Sequence, residues 1–169
     1  MVSELWVDSS HPSNSQVLRS MGRNSKAIPI AAADSVKNPY LHCGSHPEIV
    51  ERVWDQLGSA LPDVGRCLLF GTPALVCPRI GVILAVSYGT QYALRIPADT
   101  LDEALIAGAR TTTQWTGGGV TDIQREFGPD WIFGGFLSQE LRWCRTVYEA
   151  LDCPPDFPVE AQSPVKPEV

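Results

Sequence analysis

The chain has 169 residues, of which 44% are hydrophobic and 8% aromatic, and its thirteen basic and nineteen acidic residues leave a formal net charge of −6. That is one domain's length with enough apolar material for a core, and no stretch reaches the ~18 uninterrupted apolar residues of a membrane span. The acidic balance argues against a free nucleic-acid binder, whose affinity comes largely from basic side chains on phosphate.

The charge is unevenly spread. Residues 1–40 carry four basic and three acidic residues, and residues 41–169 carry nine and sixteen. An acidic body of this kind repels nucleic acid and anionic lipid and attracts a basic protein. The N-terminus has acids at Glu4 and Asp8 and no apolar run behind a basic start, so no ordinary secretory signal is expected. The five cysteines, at 43, 67, 77, 144 and 153, form no CxxC pair, and Cys67, Cys77 and Cys144 fall inside apolar patterns. Reduced thiols, and hence a cytoplasmic location, are expected.

Residues 1–40 show no sustained period, so they are expected to form an extended arm with at most one short extended segment at Ala27–Asp34. A domain is expected over 41–152, opening with a helix. Ser45 and Glu48 have capping-box spacing around Pro47. Ile49, Val50, Val53, Trp54, Leu57 and Leu61 then share one face, with Glu51, Arg52, Asp55 and Gln56 opposite, up to about Gly58.

Short apolar runs follow at Cys67–Phe70 and Ala74–Cys77. Val82–Tyr88 alternates, which places Val82, Leu84, Val86 and Tyr88 on one side. Gly89-Thr90 suits a two-residue turn, and Tyr92, Leu94 and Ile96 share a face beyond it. These runs predict an antiparallel meander. A second capping box, Thr100 with Glu103, predicts a helix to about Gly108. Thr121 with Gln124 predicts a short helix before Gly128-Pro129, and Trp131–Phe133 a short strand. The last helix starts at Ser138, with Leu141, Cys144, Val147, Tyr148 and Leu151 buried, Trp143 at the edge, and Arg142, Arg145 and Glu149 in water. Five of the last seventeen residues, 153–169, are proline, which predicts an extended tail. The expected fold is α+β: a four- to five-stranded antiparallel meander flanked by three to four helices, with irregular tails.

The residues Phe70-Gly71-Thr72-Pro73-Ala74-Leu75, Gly81-Val82-Ile83-Leu84-Ala85-Val86 and Tyr92-Ala93-Leu94-Arg95, with the closing segment Trp143–Leu151, resemble the N-terminal domain of the competence regulator TfoX and its relatives. Thr72 stands where that family has a second glycine. The resemblance covers about the middle half of the chain and implies the order helix, strand, glycine turn, strand, hairpin, helix. A shared fold does not transfer function.

Three constellations can carry chemistry. His42, Cys43 and His46 lie within five residues and are of metal-ligand type. Their spacing matches no known site, a loop feeding a helix explains them, and no metal or other cofactor is expected. Trp115 with Gly117, Gly118 and Gly119 can present an aromatic side chain and backbone N–H groups to a ligand, but no Gly-Lys-Ser/Thr follows. Trp131 joins that ligand-binding set, although its alternation with Phe133 also suits a core position. Asp99, Asp102 and Glu103 belong at a helix N-terminus. Without a catalytic set, the sequence suggests a non-catalytic cytosolic accessory or immunity-type protein. It would bind another protein through its acidic domain and arm, with Arg19, Arg23, Ile28, Ile30 and Tyr40 as contacts. The alternative is a small enzyme or ligand-binding protein using the Trp115/Gly117–Gly119 loop, with His42, Cys43 and His46 as a metal site. A second copy of the chain is an open alternative as partner.

Overall fold

The alternation between residues 65 and 95 becomes four consecutive strands in the computed structural model, which describes residues 6–22, 30–33, 46–61, 65–88, 91–114, 119–134 and 139–151. The strands are β2 (Gly65–Leu69), β3 (Thr72–Cys77), β4 (Val82–Tyr88) and β5 (Gln91–Arg95), each antiparallel to the next. Two further strands extend this sheet to six in the order β1-β2-β3-β4-β5-β8: β1 (Ile30–Ala32) beside β2, and β8 (Trp131–Phe133) beside β5. A separate ribbon pairs β6 (Thr112–Gln114) with β7 (Val120–Asp122). The fold class is α+β. Gly89-Thr90 lies outside the described residues, but Tyr88 stands opposite Gln91, as the hairpin requires.

Phe70 and Gly71 both have positive φ, 51° and 76°, and join Leu69 to its partner Thr72. Both central residues of a two-residue type I′ turn need that conformation, which twists with the strands it connects. A phenylalanine is disfavoured there. Its ring nevertheless packs over Gly22, where an added Cβ would lie 2.6 Å from Phe70 Cζ, so the turn positions the end of the N-terminal helix.

Both sheet faces are covered. On the first, Leu68, Leu75, Leu84, Tyr92, Leu94 and Ile132 meet the segment from Ile49 to Leu61 and the stripe Trp143, Cys144, Val147 and Tyr148 of α5 (Gln139–Leu151). On the second, Cys67, Leu69, Val76, Ile83, Val86, Trp131 and Phe133 meet Val17 of α1 (Pro12–Gly22), and Ile123 and Phe127 in and after α4 (Ile123–Glu126). Strands covered on both sides lose the polar alternation of half-exposed ones.

Several expectations are corrected. Residues 1–40, read as an extended arm, supply the helix α1, which packs on the chain's own sheet, while β1 falls inside the short extended segment expected at Ala27–Asp34 and joins that sheet. In β4 the register shifts: Leu75 pairs with Ala85 but Val76 with Ile83. This bulge puts Leu84 and Ala85 into the first core and Ile83 and Val86 into the second, so Val86 does not share a face with Leu84. The predicted helix at 45–58 is a short α-helix, α2 (Pro47–Glu51), followed by a π-helical stretch (Arg52–Leu57) and a 3-10 turn (Gly58–Ala60). Thr100 precedes α3 (Leu101–Ile106) without capping it by its side chain; its hydroxyl donates back to the Pro97 carbonyl at 2.7 Å. The cap of α4 is Asp122, one residue after Thr121, accepting from Gln124 N–H at 3.0 Å. No helix among the described residues is long and apolar enough to cross a membrane.

Candidate functional site

The charged groups that enter the core do so in pairs. The π-helical stretch swings Arg52, expected on the water face, into the first core, where it is 5% exposed. Its Nη2 donates to Glu140 Oε1 at 2.7 Å, Nη1 to Gln56 Oε1 at 2.6 Å, and Nε to the Tyr92 hydroxyl at 3.2 Å. The Tyr92 hydroxyl donates in turn to the same Glu140 oxygen. Glu140 is 0% exposed and opens the stripe continued by Trp143, Cys144, Val147 and Tyr148. Burial, and then the Glu140 carboxylate, push the Tyr92 hydroxyl above its usual range. Burial opposes the Arg52 charge, but Glu140 and Tyr92 together outweigh it and hold its pKa up. With Tyr92 and Glu140 sealed from solvent, this constellation ties the π-helical stretch, β5 and α5 together.

A second network sits on the other face of β5. Arg95 donates to the Ile83 carbonyl at 3.0 Å, to Asp130 Oδ2 at 3.0 Å and to the Ser13 carbonyl at 2.9 Å, and its guanidinium lies 4.8 Å from the Trp131 ring centroid. Asn14 donates to the carbonyls of Asp8 and Gly81, both at 2.8 Å, and accepts from Ile83 N–H at 3.0 Å. Only Asn14 and Val17 of α1 are fully buried, so these directed bonds place the helix.

Two histidines are helix caps. His46, named with His42 and Cys43 as a metal alternative, accepts the Glu48 N–H on Nδ1 at 3.1 Å, with Pro47 in the first turn. His11 accepts the Ser13 N–H on Nδ1 at 3.1 Å, with Pro12 in the same place. Each stands in a Ser-His-Pro triplet, 10–12 and 45–47, a repeat that sequence reading passed over. The cap is therefore His46 where Ser45 was expected. His42, Cys43 and Ser45 lie outside the described residues, among which no His/Cys/Asp/Glu group fits a metal ion.

Of the ligand-binding set, Trp131 is wholly buried, between Arg95 and Phe127, whose ring meets it edge-on at 5.0 Å. Gly119 is exposed at the start of the second ribbon strand, while Trp115, Gly117 and Gly118 lie outside the described residues. Of the partner-binding set, Arg19 is exposed on α1 and Ile30 packs against the second core. Arg23, Ile28 and Tyr40 lie outside the described residues.

The apolar side chains left in water include a pair that sequence reading missed. Ile106 is 88% exposed and Leu105 40%, at the end of α3. Asp99, Asp102 and Glu103 are exposed just before them, and Val120 of the ribbon is 60% exposed. The available signal was the pair Leu105-Ile106 between an acidic helix start and Gly108. The cysteines of the cores differ: Cys67, Cys77 and Cys144 are buried, and burial pushes the Cys67 and Cys144 thiols up to about 12. No family model matches the chain, and neither a curated protein nor a solved structure does.

Proposed function

We propose that the chain is a non-catalytic cytosolic protein that docks a basic protein partner on the α3 surface. The observation that carries this is Ile106, a large apolar side chain 88% in water beside Leu105. Burying such a pair is a main source of association energy. The rim of Asp99, Asp102 and Glu103 states the partner's charge, because like charge would be repelled and a basic segment attracted. The buried thiols and the internally paired Arg52, Glu140, Arg95 and Asp130 further support a binding role over a catalytic one. Thiols kept as core residues suit a reducing compartment.

The test uses the full chain as bait and compares Ile106→Asp, Asp102→Lys/Glu103→Lys and a control, Arg142→Glu, on the exposed face of α5. A basic protein retained by the unmodified chain and the control, cross-linked to residues 99–106, and lost from both α3 variants at unchanged thermal stability is the expected result. Equal recovery by all four chains overturns the proposal. A dimer that Ile106→Asp dissolves would assign the surface to a second copy of the chain and also overturn it.

A further inference from the structure

We propose a resident water molecule between α1, the turn at Gly128 and β8, held by Trp131, Gln16 and Asp130. Trp131 is 0% exposed, and its indole Nε1–H has no hydrogen-bond acceptor among the described residues. A buried donor left without a partner costs about 1–3 kcal/mol, so native structures almost always supply one. Two acceptors approach the same place. Asp130 gives its Oδ2 to Arg95, which leaves Oδ1 on the other side of the carboxylate. Gln16 spends its amide N–H on the Arg125 carbonyl, which turns its Oε1 the opposite way.

Gly128, lacking a Cβ, lets these groups draw close. On the side where another residue would carry a Cβ, that atom would lie 3.2 Å from Asp130 Oδ1, 3.5 Å from Trp131 Cδ1, next to Nε1 in the indole ring, and 3.9 Å from Gln16 Oε1. The three groups therefore converge on one flank of a glycine, whose φ of 143° also disfavours any other residue. The chemistry selects the ligand. One donor and two acceptors match a water that accepts from the indole and donates to the carboxylate and the amide oxygen. A metal ion would face the indole N–H, and an anion would face the carboxylate. The water completes the polar layer through which Arg95 and Asn14 already attach α1.

The test is nuclear magnetic resonance on the full chain labelled with 15N at tryptophan, with Trp131→Phe used only to assign its indole signal. A through-space cross-peak from the Trp131 indole proton to water, of the sign that distinguishes proximity from proton exchange, is the expected result. Gln16→Leu should abolish it, since the water then keeps too few partners, while the remaining indole signals stay in place. A crystal structure should show density within hydrogen-bond distance of Nε1, Gln16 Oε1 and Asp130 Oδ1. No cross-peak, a cross-peak unchanged in Gln16→Leu, or a direct bond from Nε1 to Gln16 Oε1 overturns the proposal.

Discussion

Replacing Glu140 by glutamine keeps the shape of the side chain and removes its charge. Arg52, 5% exposed, then stays in the first core without the buried carboxylate that paired with it at 2.7 Å, and keeps its bonds to Gln56 and the Tyr92 hydroxyl. Breaking a buried ion pair from one side costs about 3–5 kcal/mol, because the remaining charge is left in a low-dielectric interior. A chain of this size loses about 2–4 °C of Tm per kcal/mol, so the variant should melt about 6–20 °C lower. Replacing the whole set, Arg52→Met with Tyr92→Phe and Glu140→Leu, removes both charges and the hydroxyl together. Such apolar replacement is neutral or stabilising in comparable pairs, so the triple variant should recover most of the loss. Urea unfolding followed by tryptophan fluorescence reads both effects. A Glu140→Gln variant within about 1 kcal/mol of the unmodified chain would show that water reaches the pair, and the reasoning from burial would fail.

Asn14→Ala should cost about 2–3 kcal/mol in the same assay, because it strands the buried Ile83 N–H and removes the donors to the Asp8 and Gly81 carbonyls; a change under 0.5 kcal/mol would mean α1 is not held by these bonds. His11→Ala and His46→Ala should each cost about 1 kcal/mol, as loss of a helix cap does, and His→Asn at either position should restore most of it. Folding holds the Cys67 and Cys144 thiols up at about 12 against an ordinary 9.0, so the unfolded chain loses these protons first as pH rises. Their contribution is complete below pH 9 and is lost between about 9 and 12, at about 1.4 kcal/mol per pH unit for each thiol; Cys67→Ala/Cys144→Ala should flatten that part of the pH–stability curve.

The meander was legible because its evidence is local. Turn residues separate short apolar runs, and the period of two from Tyr92 to Ile96 gives the face of each residue directly. What stayed hidden depends on contacts distant in sequence. A helical wheel puts Arg52 on the water side, and only the π-helical stretch, set by packing on the sheet, turns it inward. The bulge in β4 reverses alternation after Leu84, and nothing in Val82–Tyr88 marks where. The N-terminal helix carries only a short apolar face, Val17, Leu18 and Met21, and its start is attached by polar bonds, those of Asn14 and the Arg95 bond to Ser13, which leave no apolar pattern. Glu140 was readable: it lies three, four, seven and eight positions before Trp143, Cys144, Val147 and Tyr148, and an acid at the head of an apolar stripe calls for a buried base. The exposed pair on α3 was also in plain view, hidden by the habit of reading every apolar helical residue as core.

The two buried networks meet on one strand. Tyr92 and Arg95 lie three apart in β5 and point to opposite faces, Tyr92 toward Arg52 and Glu140, and Arg95 toward Asp130, Ser13 and the Ile83 carbonyl. The partners named for each lie on opposite faces, so β5 fixes the position of the helical layer on each side independently. Asp130 is 32% exposed at its side chain but Arg95 only 4%, so Asp130→Asn strands a buried guanidinium that keeps the Ile83 and Ser13 carbonyls, and should cost about 3 kcal/mol. Combined with Glu140→Gln, the two losses should add to within about 0.5 kcal/mol, as independent sites do. A sum that falls short by more than 1 kcal/mol would mean that losing one network already loosens the other, with β5 transmitting the change between faces. Full additivity would instead make each layer a separately attached unit. The α3 surface could then be altered without disturbing the N-terminal helix across the sheet.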